Sequence, residues 1–350
     1  MRRLIHTTRL PEWALAVTLM LLVPVIFSGC GKRNDAGPAS RVSIAVFVPG
    51  VMSGSPIYEM LAQGVQRAGS EYPQAEVQVV EAGYNQAEWE PKLTALAAAK
   101  SYDLIVSSNP SLPALAQAVS AKFPEQKFLL LDGEISGNPA IYTMRYNQRE
   151  QAYIAGHIAA LIAQEGKTPI GVSKKIGLIA GQEYPAMNTI MLPAYGEAAR
   201  TIDPAFKVDF RVVGNWFDAG RGAELALDMI RSGSAVILCV AGGANEGVVQ
   251  AASETGAKVI WFDTNGYGIR PGTVAGSAIL RQDLAAYEQT KRFLDGTLPF
   301  GTAEVVGIKD GYVDFIEDDQ NYIAAVSSEV RAKQAELLRR IRTGELVLGN

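Results

Sequence analysis

The sequence predicts an α/β protein built as two successive doubly wound lobes, each a mostly parallel sheet with helices on both faces. Three observations lead there. Short β-rich runs that are apolar at nearly every position alternate with amphipathic helical stretches, and strands apolar on both faces belong in sheets covered on both faces. The alternation then begins again and runs for a similar length. The chain is also long enough to fill two cores, with 350 residues of which 48% are hydrophobic. No short-period repeat is visible, which excludes a solenoid.

In the first series VSIAVFVPG reads as a strand and YEMLAQGVQRAGSEY as a helix. EVQVVEAG is followed by the helix EWEPKLTALAAAK, YDLIVSSNP by LPALAQAVSAKF, and KFLLLDG by a short turn. The second series opens with the helix AYIAGHIAALIA and continues as strand KIGLIAG, helix MLPAYGEAARTI, strand KVDFRVVG, helix GRGAELALDMIRSG, strand SAVILCVAG, helix NEGVVQAASETG and strand KVIWFDT.

The N-terminus has a different character. Arg2, Arg3 and Arg9 precede an apolar stretch over 13–27 that is shorter than a bilayer span, and small Ser28 and Gly29 lead to Cys30. That order is the bacterial lipoprotein signal. Residues 1–29 are expected to be removed and lipid joined to the Cys30 sulfur, leaving 30–40 as a polar, flexible tether on the periplasmic side of a membrane. Phe27 stands where such signals usually carry Leu, so an uncleaved anchor is the alternative.

Composition removes several function classes. Net charge is −4 with both signs interspersed, which offers no basic face to nucleic acid. The only cysteines are Cys30 and Cys239, the latter inside an apolar run, so neither a disulfide framework nor a cysteine metal site can be built. His6 lies in the leader, leaving His157 as the single histidine of the mature chain and excluding histidine triads and multi-histidine zinc sites. No carboxylate pair has a placement defensible as general acid and base, and neither a bound metal nor a catalytic cofactor is expected.

Ligands of open parallel sheets bind beyond the carboxyl ends of strands. The residues found there are 53–58 with Ser55 and Tyr58, Tyr84 and Asn85, Asn109, Asp132, 182–184 with Tyr184, 215–218 with Trp216 and Phe217, 242–245 with Asn245, and 263–267 with Asp263 and Tyr267. Amides, carboxylates and rings together suit a flat polar organic ligand: the rings stack on it and the polar groups read its edge.

Long segments also carry a family resemblance. FLLLDGEISGNPAIYTMRYNQREQAYIAGHIAALIA is similar to the strand, link and helix of the basic membrane protein, or PnrA-like, family of substrate-binding lipoproteins for ABC importers. GLIAGQEYPAMN, VVGNWFDAGRGAELALDMIRSGSAVILCVAGGANEGVVQAASETG, VIWFDTN, GSAILRQDLAAYE and GIKDGYVDF continue the match almost to the C-terminus. The resemblance implies a type I periplasmic-binding-protein fold: two Rossmann-like lobes, several crossovers, and hinge closure on a ligand in the cleft. It implies no enzyme, a monomer, and an ABC permease and ATPase as partners. Lobe bounds expected on this basis are 41–144 plus about 268–300, and 145–267 plus about 301–350.

By the same resemblance Asp263 matches an acid that takes ribose hydroxyls in nucleoside receptors, Trp216 and Phe217 fall where a stacking ring sits, and Asn109 falls on a cleft-lining polar position. Departures qualify the ligand. Where nucleoside-binding members carry D-D-K-S-F-N, this chain has Ser53, Gly54, Ser55, Pro56, Ile57 and Tyr58, and Leu280 replaces an expected lysine. Fewer ribose partners and more rings, with Trp261 among them, resemble the riboflavin-binding branch, which makes riboflavin the first expectation and a purine nucleoside the second. A sensor or surface lipoprotein without transport is the reading from another class.

Each site residue has a plainer alternative. Tyr58 could staple the first helix, Asn109 could cap the next, and Asp263 could cap the turn DTNG. If the strand continued through Trp216 and Phe217, one would face the cleft and one the core, with Trp216 the cleft residue. Trp261 and Cys239 read as core. The glycines of AGGANEG lack the lysine and spacing of a phosphate loop and serve close backbone approach instead.

Overall fold

The structure, a computed structural model, describes residues 41–349. The leader, Cys30 and the tether lie outside the described residues. β1 (Val42–Val48) is fully buried from Ile44 onward and stops at Pro49 and Gly50. α1 (Pro56–Ser70) starts on a proline in its first turn, where no hydrogen bond is lost, and buries Leu61, Ala62, Val65 and Ala68 along one face. β2 (Ala75–Glu81), α2 (Trp89–Ala99), β3 (Leu104–Ser108), α3 (Leu112–Lys122), β4 (Lys127–Leu131) and β5 (Ile141–Tyr146) complete the first series. β5 occupies what the sequence reads as a link.

The second series runs α4 (Gln148–Glu165), β6 (Lys175–Ala180), α5 (Leu192–Ile202), β7 (Lys207–Val212), α6 (Ala219–Arg231), β8 (Val236–Val240), α7 (Asn245–Thr255), β9 (Lys258–Asp263) and β10 (Val274–Leu280). The chain ends with α8 (Gln282–Leu294), β11 (Ala303–Val306), β12 (Val313–Phe315), α9 (Gln320–Ala325) and α10 (Ser328–Arg342). α4 is buried almost all round because it lies between the second sheet, α5 and α10. Gly156 makes this possible, since a Cβ there would lie 2.2 Å from the Tyr195 carbonyl oxygen on α5.

Two six-stranded sheets result, in the orders β11-β5-β4-β3-β1-β2 and β12-β10-β9-β8-β6-β7. The orders superimpose strand for strand. All pairings are parallel except β10 with β12, where Ala278 faces Phe315 in an antiparallel ladder. The lobes therefore have the expected type I architecture, but the expected bounds need correction. β10 stays in the second lobe, laddered to β9 from Val274 opposite Val259 to Ile279 opposite Asp263. β11 belongs to the first, with Ala303 opposite Thr143. Pairing decides both cases, because an unladdered β9 or β5 would bury an open strand edge. α8 returns to lie against α1. The chain thus crosses between lobes three times, at 146–148, 280–282 and 306–313.

Candidate ligand-binding cleft

The carboxyl ends of the two sheets meet, and the equivalent strands β4 and β9 end on equivalent residues. Asp132 follows β4 and Asp263 closes β9, both with left-handed backbone, φ 55 and 72. Aspartate tolerates this region better than most residues, though at some cost, and such conformations gather at functional sites. Gln148 Nε2 donates to Asp132 Oδ1 at 3.1 Å and Gln151 Nε2 donates to Asp263 Oδ1 at 3.0 Å. Neither carboxylate forms an ion pair among the described residues; Arg145, the nearest cation to Asp132, is 2.6 Å from Glu134.

Burial pushes Asp132 up to about 7, reinforced by Asp263 across the cleft and opposed by Arg145. Burial likewise pushes Asp263 up to about 6, against the stabilising hydrogen bond from Gln151. Two acceptors without a cation call for donors from elsewhere.

Two tyrosines stand near them, and Trp216 stands beside one of the two. Tyr58 stands on the first turn of α1, donates its hydroxyl to Pro49 O at 3.3 Å and accepts from Asn109 Nδ2 at 3.4 Å. Its phenol is pushed up to about 12, chiefly by burial. Tyr184, after β6, is raised by burial and then by the charges of Asp132 and Asp263. Its ring lies 6.2 Å from that of Trp216. Trp216 is 36% exposed and lies over Gly181, where a Cβ would come within 2.4 Å of the indole.

Phe217 does not enter the core, because β7 has already ended and strand alternation no longer applies. Asn215 Oδ1 accepts from the backbone N–H groups of Phe217 and Asp218 and turns the chain there. Phe217, 67% exposed, meets Tyr84 of the other lobe, 59% exposed, at 6.3 Å between rings.

Several expected site residues have other work. Tyr267 is fully buried, donates to Ile316 O at 2.9 Å and accepts from Ser277 N at 3.0 Å, so its hydroxyl is occupied in the core. Asn245 is 6% exposed and its Oδ1 accepts from Ala241 N, clamping the turn before α7. Asn85 caps the turn at 86–88 and Asn109 Oδ1 accepts from Ser111 N, so only the amide nitrogen of Asn109 faces Tyr58. Asp263 is not the turn cap; Asn265 Oδ1 takes Tyr267 N instead. Ser55 sits at the start of α1 without a capping bond. The glycines of AGGANEG admit the Trp216 loop rather than a phosphate: Gly243 N donates to Trp216 O at 2.8 Å.

Asp132, Gln148 and Gln151 complete the cleft. The position of Asp132 after an apolar strand signals it in the sequence, whereas both glutamines read there as ordinary helix residues. Cavities of about 310 Å³ between α6 and α7 and about 240 Å³ beside α9 and α10 lie away from these residues.

Comparison with known proteins identifies the family. The sequence model of the family described as ABC transporter substrate-binding protein PnrA-like matches residues 41–346. The chain belongs to this family. A PnrA-like chain therefore works with a small-molecule ligand and the permease and ATPase of an ABC transporter. It is 27% identical to an uncharacterized lipoprotein of Pyrococcus abyssi, over 87% of this chain and 77% of that one. It is 25% identical to the ABC transporter nucleoside-binding protein BmpA of Lactococcus lactis, over 71% of each. A solved solute-binding protein of an ABC transporter system from Aeropyrum pernix shares the fold, with TM-score 0.77, 23% identity, and coverage of 87% and 92%.

Among the described residues no three histidine, cysteine, aspartate or glutamate side chains group to hold a metal, and no helix is long and apolar enough to cross a membrane. His157, the only described histidine, is buried against Gln334, with Nδ1 2.7 Å from Oε1. The loops at the carboxyl ends of the two sheets of this PnrA-like chain thus carry aromatic rings and two aspartates that have no ion-pair partner among the described residues.

Proposed function

We propose that the chain captures an uncharged, flat heteroaromatic metabolite bearing hydroxyl or N–H donors, and delivers it to an ABC permease. The single observation that carries this is the pair Asp132 and Asp263, partly buried where the lobes meet, with no ion-pair partner among the described residues and with Tyr58 and Tyr184 nearby. Donors of the ligand would satisfy both carboxylates at once and draw the lobes together, so closure would follow from contacts made by both. A phosphorylated ligand would bring like charge to the same place.

Within this class riboflavin is the first reading. Its three fused rings match the broad aromatic lining and its ribityl chain supplies donors in a row. A purine nucleoside is the second, favoured by the Lactococcus lactis relative named as nucleoside-binding and by the amide of Asn109 beside Tyr58. Cys30 would carry the lipid that holds the receptor at the membrane.

The test is an absorbance spectrum of the purified chain, followed by calorimetry with riboflavin, guanosine and their 5′-phosphates. Visible flavin bands that survive gel filtration and vanish on unfolding would establish riboflavin. A colourless protein that binds guanosine alone would give the nucleoside reading first place. Equal affinity for a phosphorylated form would count against the acid pair as the ligand-reading element.

A further inference from the structure

We propose that Gln148 and Gln151 are the positioning residues of the cleft: a single turn of α4 orients the binding aspartate of each lobe. The inference rests on the reading of Asp132 and Asp263 as ligand contacts. α4 begins directly after the first crossing, so its first residue can still reach the lobe just left, while a residue three places on lies on the same side and reaches the lobe just entered. Gln148 accordingly donates to Asp132 and Gln151 to Asp263.

The amide of Gln151 has one tenable orientation. Its Nε2 also donates to Ala278 O at 3.1 Å, so a flip would set Oε1 against two acceptors. In the observed orientation Oε1 is buried without a partner among the described residues. A buried, unpaired acceptor is a standing cost that an apolar side chain of the same size would avoid. Holding the aspartate accounts for tolerating it. In each pair only Oδ1 is engaged, and Oδ2 has no hydrogen bond among the described residues.

Donation from Gln151 also favours the ionised form of Asp263, against the burial that pushes it up. The titratable groups facing Asp263 are Asp132, Tyr146 at the end of β5, Tyr184 and Cys239 on β8; those facing Asp132 are Tyr58, Tyr146, Tyr184 and Arg145. None of them is a cation paired with Asp263, which leaves Gln151 as its side-chain donor among the described residues.

The experiment titrates riboflavin, and separately guanosine, into the full-length chain in detergent between about pH 5 and about pH 9 for wild type, Gln151→Met and Gln151→Glu. An accepting carboxylate loses affinity as it takes up a proton, so wild-type binding weakens toward acid. In Gln151→Met the weakening should begin about one pH unit higher, giving about fivefold loss near pH 6, about tenfold near pH 5, and recovery to within about threefold near pH 9. Gln151→Glu should move it at least as far.

Equal loss at every pH, which a merely structural glutamine would produce, overturns the positioning role. Should the Gln151 variants fail to fold, Gln148→Met poses the same question to Asp132. Asp263→Asn separates the two levels. If it leaves affinity unchanged, or if neither probe binds wild type, the ligand reading fails and the inference with it. If it weakens binding while the glutamine variants keep the wild-type pH profile, the positioning role alone is overturned.

Discussion

The two lobes repeat one backbone device and furnish it differently. In the first, Gly83 N donates to Gly50 O at 2.9 Å as β2 leaves the sheet; in the second, Gly214 N donates to Gly181 O at the same distance as β7 leaves. Each acceptor glycine forms the floor under a ring. Over Gly50 that ring is Tyr58, brought from α1, and over Gly181 it is Trp216, brought from the loop before α6. The second lobe adds Tyr184 beside Trp216, whereas the first adds Asn109 beside Tyr58. Only the aspartates stay matched, in residue type and in left-handed backbone. What both lobes keep is the paired acceptor; what each varies is the surface that meets the ligand's face.

The largest expected effect tests that matching in the ligand-free protein. Both carboxylates titrate higher when folded than the ordinary value of 3.8, so their contribution to stability is full below about pH 4 and declines as pH rises through about 6 and 7. The double variant Asp132→Asn with Asp263→Asn should therefore be more stable than wild type by an amount that grows between pH 5 and pH 8, on the order of a few kcal/mol at its upper end. Thermal unfolding across that range checks it, and a constant gap would show that the pair ionises freely. Taken singly, each substitution should weaken ligand binding by about 1.5–3 kcal/mol, the scale of a hydrogen bond to a charged group. A loss confined to one of them would break the symmetry of the lobes.

Ring substitutions should sharpen the difference instead. Trp216→Ala is expected to weaken binding by about 1–2 kcal/mol through lost stacking and buried area, and Tyr58→Ala by a similar amount. Calorimetry on both would show whether the ligand is sandwiched or backed from one side: a neutral Tyr58→Ala with a costly Trp216→Ala would assign stacking to the second lobe alone. The smallest effect concerns Tyr84 and Phe217, which touch across the cleft mouth. A double-alanine cycle on ligand dissociation should give a coupling of about 0.5–1 kcal/mol, since the contact joins the lobes. Additive single effects would mean that the rings part when ligand is bound.

Much of this was legible in the sequence. Eight strands of the two series announce themselves as apolar β-rich runs, though β2 and β7 lie at sheet edges and bury no residue fully, and the residues after the runs include Asp263, Trp216, Tyr58, Tyr184 and Asp132. β5 was hidden because IYTMRY mixes polar and apolar residues, and the short strands β11 and β12 carry too few residues to show a period. The swap of β10 and β11 between lobes depends on which open edge each one pairs with, a property of the folded sheets rather than of either segment. Tyr267 misled for a related reason. A tyrosine in a loop after a strand reads as exposed, and only the later arrival of α9 and β12 buries it against Tyr322 and Ile316. Gln148 and Gln151 carried no signal at all, since their acceptors lie 16 and 112 residues away.

The last residues of the chain fasten to the first turn of α4: Asn147 Nδ2 donates to Gly349 O at 2.9 Å and Arg149 Nε to Leu348 O at 2.5 Å. A fluorescent reporter fused there would ride on the pivot and travel least when the lobes swing. A biosensor built on this receptor should carry its two dyes on the loops of Tyr84 and Phe217, where the same swing is amplified into the longest stroke, and leave the tail unburdened.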